Sequence, residues 1–398
     1  MSGSAAVSTP EPFARTLGQM ALLSLGGAVA LGFARFAYAL ILPAMRADLG
    51  WSFTLAGAMN AANAVGYLAG ALLATRAAAR WGLKGVVAGG MGLTALSLLA
   101  CALSGAAPIL LALRFLAGLG GALVFVAGGA LASLAARAHP GRGALLLGVF
   151  YGGAGVGILA SALLLPPLLT GGWREAWAAL GGVSLLALGA TLPALSRLPD
   201  RAASAPSGSR TPLIPLVPVF AAYACFGVGY IAYMTFIVAF LRASGEENFI
   251  TPFWAVLGAS VILSALVWQR PATHLPGARV MTAQMLTLAV GATLPLLSTH
   301  PAALLASGLL FGGSFLAVVT FTTILTRRTL PEHAWGQGIA AFTVIFAAGQ
   351  TLGPLLTGAL SDAAGGLRLG LGVSALVLLL GAGLAWGQER LGVFKDKE

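Results

Sequence analysis

Charge is what this sequence most conspicuously lacks. Only 8% of its 398 residues are Asp, Glu, Lys or Arg, and 11 of them are acidic. Soluble domains carry about 25% charged residues, so this composition excludes an ordinary water-soluble domain. Cysteine is scarce too. Cys101 and Cys225 both fall inside apolar runs, which argues against a disulfide framework or a cysteine-based metal site. The four histidines, at 139, 274, 300 and 333, lie between such runs. No His or Cys pair has metal-ligand spacing, no nucleophile and base are set together at a span end, and no loop is shaped to cradle phosphate. The pattern therefore offers no enzyme chemistry, no cofactor and no metal.

What is present is length and apolarity: 58% of the residues are hydrophobic. The net charge of +11 would suggest nucleic acid in a soluble chain, but Lys and Arg sit here in short gaps between apolar runs and read as topology signals. The runs number about twelve, each near the roughly 20 residues that a span requires. They fall near 17–44, 53–74, 85–104, 108–135, 143–169, 174–195, 213–241, 250–269, 279–298, 302–326, 335–360 and 367–388. The fold class expected is an all-α polytopic membrane protein with twelve transmembrane helices.

Orientation follows from the basic residues. Alternate sides of the runs hold 16 and 4 Lys and Arg, and Arg35 and Arg114, inside runs, complete the 22. That asymmetry, like the even span count, predicts both termini and the gap Arg197 to Pro212 in the cytoplasm. The N-terminus has no charged segment followed by a short apolar region and cleavage site, so the first span is expected to remain in the mature protein. The eight tryptophans all fall near expected span ends, as interfacial anchors would.

The two halves of the chain resemble each other. Gly171-Gly172-Trp173-Arg174 before the sixth run matches Gly365-Gly366-Leu367-Arg368 before the twelfth, and Pro108 before the fourth matches Pro301 before the tenth. Gly148 and Gly152 in the fifth match Gly349 and Gly353 in the eleventh. Offsets of 193 to 201 residues indicate two six-helix repeats, with boundaries at 1–196, 197–212 and 213–398.

These elements resemble the major facilitator superfamily over nearly the whole chain. Gly349-Gln350-Thr351-Leu352-Gly353-Pro354, followed by Gly358, is similar to the glycine-proline motif of that superfamily. The fifth run keeps the glycines but lacks the proline. Arg114-Phe115-Leu116-Ala117-Gly118-Leu119-Gly120 is similar to the superfamily's arginine-glycine motif, and Arg80-Trp81-Gly82-Leu83-Lys84 partly matches its loop motif, with Ala79 where an aspartate is usual. That departure removes the aspartate from the usual gating salt bridge of Arg80. The stretch from Gly32 to Trp51 and Ala62 to Gly70 resemble the bacterial YbfB/YjiJ-like branch. The resemblance implies two pseudo-symmetric six-helix bundles, the bacterial inner membrane, and a central cavity lined by the first, fourth, seventh and tenth helices. Helix packing or gating is then expected of Gly118, Gly148, Gly152, Gly349, Gly353, Pro354 and Arg80.

Arg35 is the residue that a core helix would not need. A guanidinium inside an apolar run costs several kcal/mol and marks a functional site by default. Arg35 lies eleven residues before Arg46, at the expected outer end, so about 16 Å deep at 1.5 Å per residue. Arg114 lies six residues after Pro108, about 9 Å deep from the same side. Two readings stand for Arg114: ligand contact, or a gating and fold-stabilising arginine bonded to helix carbonyls. Weaker candidates are Tyr38, one turn beyond Arg35; Asn60, Asn63 and Tyr67 on one helical face; Tyr223, Tyr230 and Tyr233 on another; and Gln350. Such stripes also serve interhelical hydrogen bonding.

No acidic residue lies in the interior of an expected span. Two buried cations without buried acids call for an anion, and a carboxylate suits the guanidinium fork. The reading is a secondary transporter of a small organic anion, with efflux of lipophilic or cationic drugs as the alternative. A purely structural or receptor role would leave the embedded charges unexplained. The partners implied are the bilayer, a small solute, and either a coupling proton or an exchanged anion; a monomer without nucleic acid is expected.

Overall fold

The computed structural model describes residues 12–139, 141–198, 212–331, 334–363 and 366–390. The expected central loop, apart from Arg197, Leu198 and Pro212, lies outside the described residues, as does His333. In hydrocarbon every backbone N–H and C=O must be bonded within its own segment, and an apolar chain meets that demand by forming helices. The order is α1 (Phe13–Gly27), a π-helical segment (Ala28–Phe36), α2 (Tyr38–Leu49), α3 (Phe53–Cys101), α4 (Ala107–Arg137), α5 (Gly143–Leu169) and α6 (Trp173–Arg197). A short 3-10 turn (Ile214–Leu216) then leads to α7 (Val217–Ala243), α8 (Glu247–His274), α9 (Arg279–Leu297), α10 (Pro301–Thr329), α11 (Trp335–Asp362) and α12 (Gly366–Arg390).

Among the described residues, 11 helices are long and apolar enough to cross a membrane, counting Phe13–Leu49 as one. α3, at 49 residues, would run about 74 Å if straight, more than twice a hydrocarbon core of about 30 Å. It is not straight. Gly82 has φ +71° and ψ 161°, outside helical geometry and open to glycine without the penalty a Cβ brings.

Local signals set the helix ends. Ser52 Oγ accepts from Leu55 N at 3.1 Å to cap α3, and prolines stand in the first turns of α4, α7 and α10. The matched positions of the two halves behave alike: Gly172 before α6 and Gly366 opening α12 both take positive φ, +113° and +58°.

Phe13–Leu49 and α7 are the most enclosed spans, and the others leave large apolar faces exposed, such as Leu186 and Leu266. The halves meet through α3 against α11, α5 against α8, and α2 against α7. At the α3–α11 contact a Cβ on Gly57 would strike the Pro354 carbonyl, and one on Gly358 would reach Phe53 O. Where α3 begins, Asp362 at the end of α11 accepts from Phe53 N at 2.7 Å, Thr54 N at 2.8 Å and Thr54 Oγ1 at 2.6 Å. A carboxylate thus satisfies the free N–H groups at a helix start in the opposite half.

The small residues expected to pack helices do so unevenly. Gly118 of α4 lies against the Asn63 carbonyl of α3, and Gly349 and Gly353 of α11 lie against Ala224, Gly227 and Val228 of α7. Gly148 and Gly152 need correction: a Cβ on Gly148 would meet nothing within 4 Å, and one on Gly152 only Ile262 at 3.9 Å. The close contacts of α5 fall to Gly153, Gly155 and Gly157, which meet Ser24, Gly258 and Ala28. A glycine-rich run offers several faces, and only the neighbours choose between them.

Four tryptophans also differ from the interfacial role expected of them. Trp51, Trp173, Trp177 and Trp254 are buried within the protein, and the last two donate to Met45 Sδ at 3.3 Å and Ser161 Oγ at 3.2 Å.

Candidate functional site

Arg35 sits near the end of the π-helical segment, where an i→i+5 bond from Ala37 N to Gly32 O closes the last turn. Single π turns are enriched at functional sites because the extra residue re-aims the side chains that follow. Arg35 is 2% exposed. Its Nη2 donates to Gln350 Oε1 of α11, and Gln350 Nε2 donates in turn to Tyr230 Oη of α7 at 2.6 Å. The Tyr67 ring of α3 lies 5.6 Å from the guanidinium carbon. One chain of polar groups therefore joins the first half to two helices of the second.

Arg114 occupies a separate but adjacent setting, near enough for the two charges to interact. Its Nη1 donates to the Ala34 carbonyl of the π-helical segment, and its guanidinium carbon lies 4.9 Å from the Tyr38 ring and 5.3 Å from the Trp177 ring. Tyr38 stacks on Trp177 and donates to Ala56 O at 2.8 Å. The shift in register places Tyr38 with Arg114, not with Arg35 as a plain α-helix would suggest. Asn63 Nδ2 donates to the Arg114 carbonyl at 3.2 Å.

The remaining candidates disperse. Asn60 donates to Thr235 Oγ1 of α7 at 2.7 Å, again across the halves, while Tyr233 shares a 2.6 Å hydrogen bond with Ser307 and stacks on Phe311 of α10. Tyr223 joins Phe226, Tyr230 and Phe346 in a run of nearly parallel rings. Arg80 is exposed beside Trp81 and takes no part in the site.

Trp177, Phe346 and Thr235 belong to these surroundings and were not singled out by sequence. Trp177 lies five residues into α6, where an interfacial position is indistinguishable from an inward one until the facing helices are known.

Several buried polar atoms have no hydrogen-bond partner among the described residues: Arg35 Nε, Arg114 Nε and Nη2, and Asn60 Oδ1. The buried polar side chains described include no Asp or Glu. The interior is thus cationic, with free N–H donors near the meeting plane of the halves.

Residues 27–386 match the family described as uncharacterised MFS-type transporter YbfB. The chain belongs to the major facilitator superfamily. It is accordingly a multi-pass membrane transporter and not an enzyme. No curated protein matches it in sequence. Among solved structures it is similar in fold to an inward-facing, unoccupied bacterial homolog of the human lysosomal transporter Spinster, at 16% identity, covering 95% of this chain and 98% of that one with a TM-score of 0.71. The peptide transporter POT in complex with sulfate is similar at 14% identity, 97% and 98% coverage and TM-score 0.77. The nucleoside transporter NupG gives 12%, 96% and 100%, and 0.69.

Proposed function

We propose that this superfamily member is a secondary transporter of a small organic anion, a carboxylate, that works by alternating access of two six-helix halves. The supporting observation is the pair of buried guanidiniums with unpartnered N–H groups in an interior without a described buried acid. An uncompensated buried cation is costly until an anion neutralises it. A carboxylate beside Arg35 would meet the free Nε and could displace the Gln350 oxygen, gaining a two-pronged contact. Gln350 and Tyr230 would then be released, so that binding alters a link between the halves. Arg114, already bonded to a helix carbonyl, we read as holding the π-helical segment in place.

In this proposal α3 counts as two spans meeting at Gly82, which makes twelve, divided at the 197–212 gap into bundles 1–196 and 213–398. Both termini lie in the cytoplasm of a bacterial inner membrane, and the protein acts as a monomer. The α3–α11 contact then closes the outer side.

Arg35→Ala should abolish binding of carboxylates while the protein remains folded, and Arg35→Lys should retain part of it because charge survives without the fork. The measurement is uptake of radiolabelled organic acids, with melting temperatures as the folding control. Folded Arg35→Ala protein transporting a carboxylate at the wild-type rate would sink the assignment. The run of parallel rings around Tyr230 keeps efflux of lipophilic compounds as the alternative, and that reading predicts cation handling retained or improved in Arg35→Ala.

A further inference from the structure

The bend of α3 frames a groove of about 490 Å³ on the outside of the first half, between the two arms of α3 and over α4. Its lining takes Gly85, Gly89 and Gly90 from the second arm of α3, Leu73 from the first, and Leu119 and Leu123 from α4. Leu73 is 44% exposed and Trp81 63%, so the groove opens to the surroundings of the protein and not to its interior. At a membrane-spanning helix, those surroundings are lipid. The mouth carries two guanidiniums, Arg76 and Arg80, with the Arg80 carbon 6.0 Å from the Trp81 ring. No carboxylate pairs with either among the described residues, and the neighbouring Ala79 brings no charge. Lys84 is turned away, donating to Ser196 O at 3.1 Å.

An apolar slot ending in two cations beside an exposed indole, at the level where a helix leaves the hydrocarbon, matches one chemistry. We propose that this groove binds an anionic phospholipid, its acyl chain over Gly85 and Gly89 and its phosphate between Arg76 and Arg80. Trp81 marks the headgroup level, where amphipathic rings settle. A soluble anion would gain the cations but not the slot, and a zwitterionic lipid would gain the slot but less from the cations. Each basic residue near a lipid surface adds about fivefold to the preference for anionic lipid.

The test is native mass spectrometry of the detergent-purified full chain with dioleoyl phosphatidylglycerol, dioleoyl phosphatidylcholine or sodium phosphate. Wild type should retain phosphatidylglycerol with a preference of about tenfold or more over phosphatidylcholine. Combined Arg76→Ala and Arg80→Ala should reduce that preference toward unity, and the double lysine replacement should restore part of it. Gly89→Leu, at a position where an added Cβ meets nothing within 4 Å, should fill the slot and weaken both lipids without lowering the melting temperature. Equal retention of the two lipids, a phosphatidylglycerol preference that survives the double alanine change, or retention of phosphate equal to that of phosphatidylglycerol would each overturn the proposal.

Discussion

Arg35 and Arg114 are 2% and 1% exposed, yet their partners give them different work. Arg114 holds a backbone carbonyl and is covered by Tyr38 and Trp177, so truncation removes a donor from a buried acceptor and empties an aromatic box. Leaving such an acceptor unsatisfied costs about 1–3 kcal/mol. Loss of Arg35 takes the donor from Gln350 Oε1, but that side-chain amide can flip to accept from the Tyr230 hydroxyl, and the change relieves desolvation of a charge. Thermal melts should therefore show Arg114→Ala clearly destabilised and Arg35→Ala close to wild type. The reverse order would exchange the roles assigned to the two residues. The embedded charge of each was legible in sequence, because an arginine in an apolar run has no soluble explanation. Their different partners were not, since Tyr38 packs on Arg114 and Gln350 comes to Arg35 from the other half.

At the scale of elements, two contacts govern how the helices meet. Gly353 lets α11 lie against the Val228 carbonyl and Ile231 of α7. Gly353→Leu should lower stability by about 1–3 kcal/mol, read as a lower melting temperature, because a large side chain there separates two packed backbones. Wild-type stability and transport in that variant would remove the packing role. Asp362 caps α3 across the halves, and a carboxylate at an exposed helix start contributes about 0.3–1 kcal/mol. Asp362→Asn should shift the resting population toward opening of the α3–α11 face, read as faster maleimide labelling of a cysteine placed at Leu55, next to the capped residues. Unchanged labelling would show that the apolar packing of Gly57 and Gly358 closes this face alone.

For the whole molecule, the arrangement in the membrane is the matter to test. A cysteine at Asn248 should react with an impermeant reagent added to intact cells, whereas one at Ser207, outside the described residues, should react only after lysis. Labelling of Ser207 from outside would overturn the twelve-span topology. Among the described residues the halves are joined by few polar contacts: Arg35 to Gln350, Asn60 to Thr235, Trp254 to Ser161, and Asp362 to the start of α3. Polar links of this kind add little over what each half finds alone in a membrane, as the proposed rocking of the halves requires.

The sequence by itself determined the solvent, the class of fold and the superfamily. Apolar runs of bilayer length permit only helices, and charge in the gaps between them follows membrane electrostatics, so both are written locally. The spans from α4 onward accordingly fall within a few residues of where the hydropathy places them. Choices made between helices were decided only by tertiary structure: which glycines of α5 meet a neighbour, which tryptophans turn inward, and that Gln350 of one half answers Arg35 of the other. Such choices depend on helix rotation and on contacts 315 residues apart, which a run of apolar letters leaves undetermined.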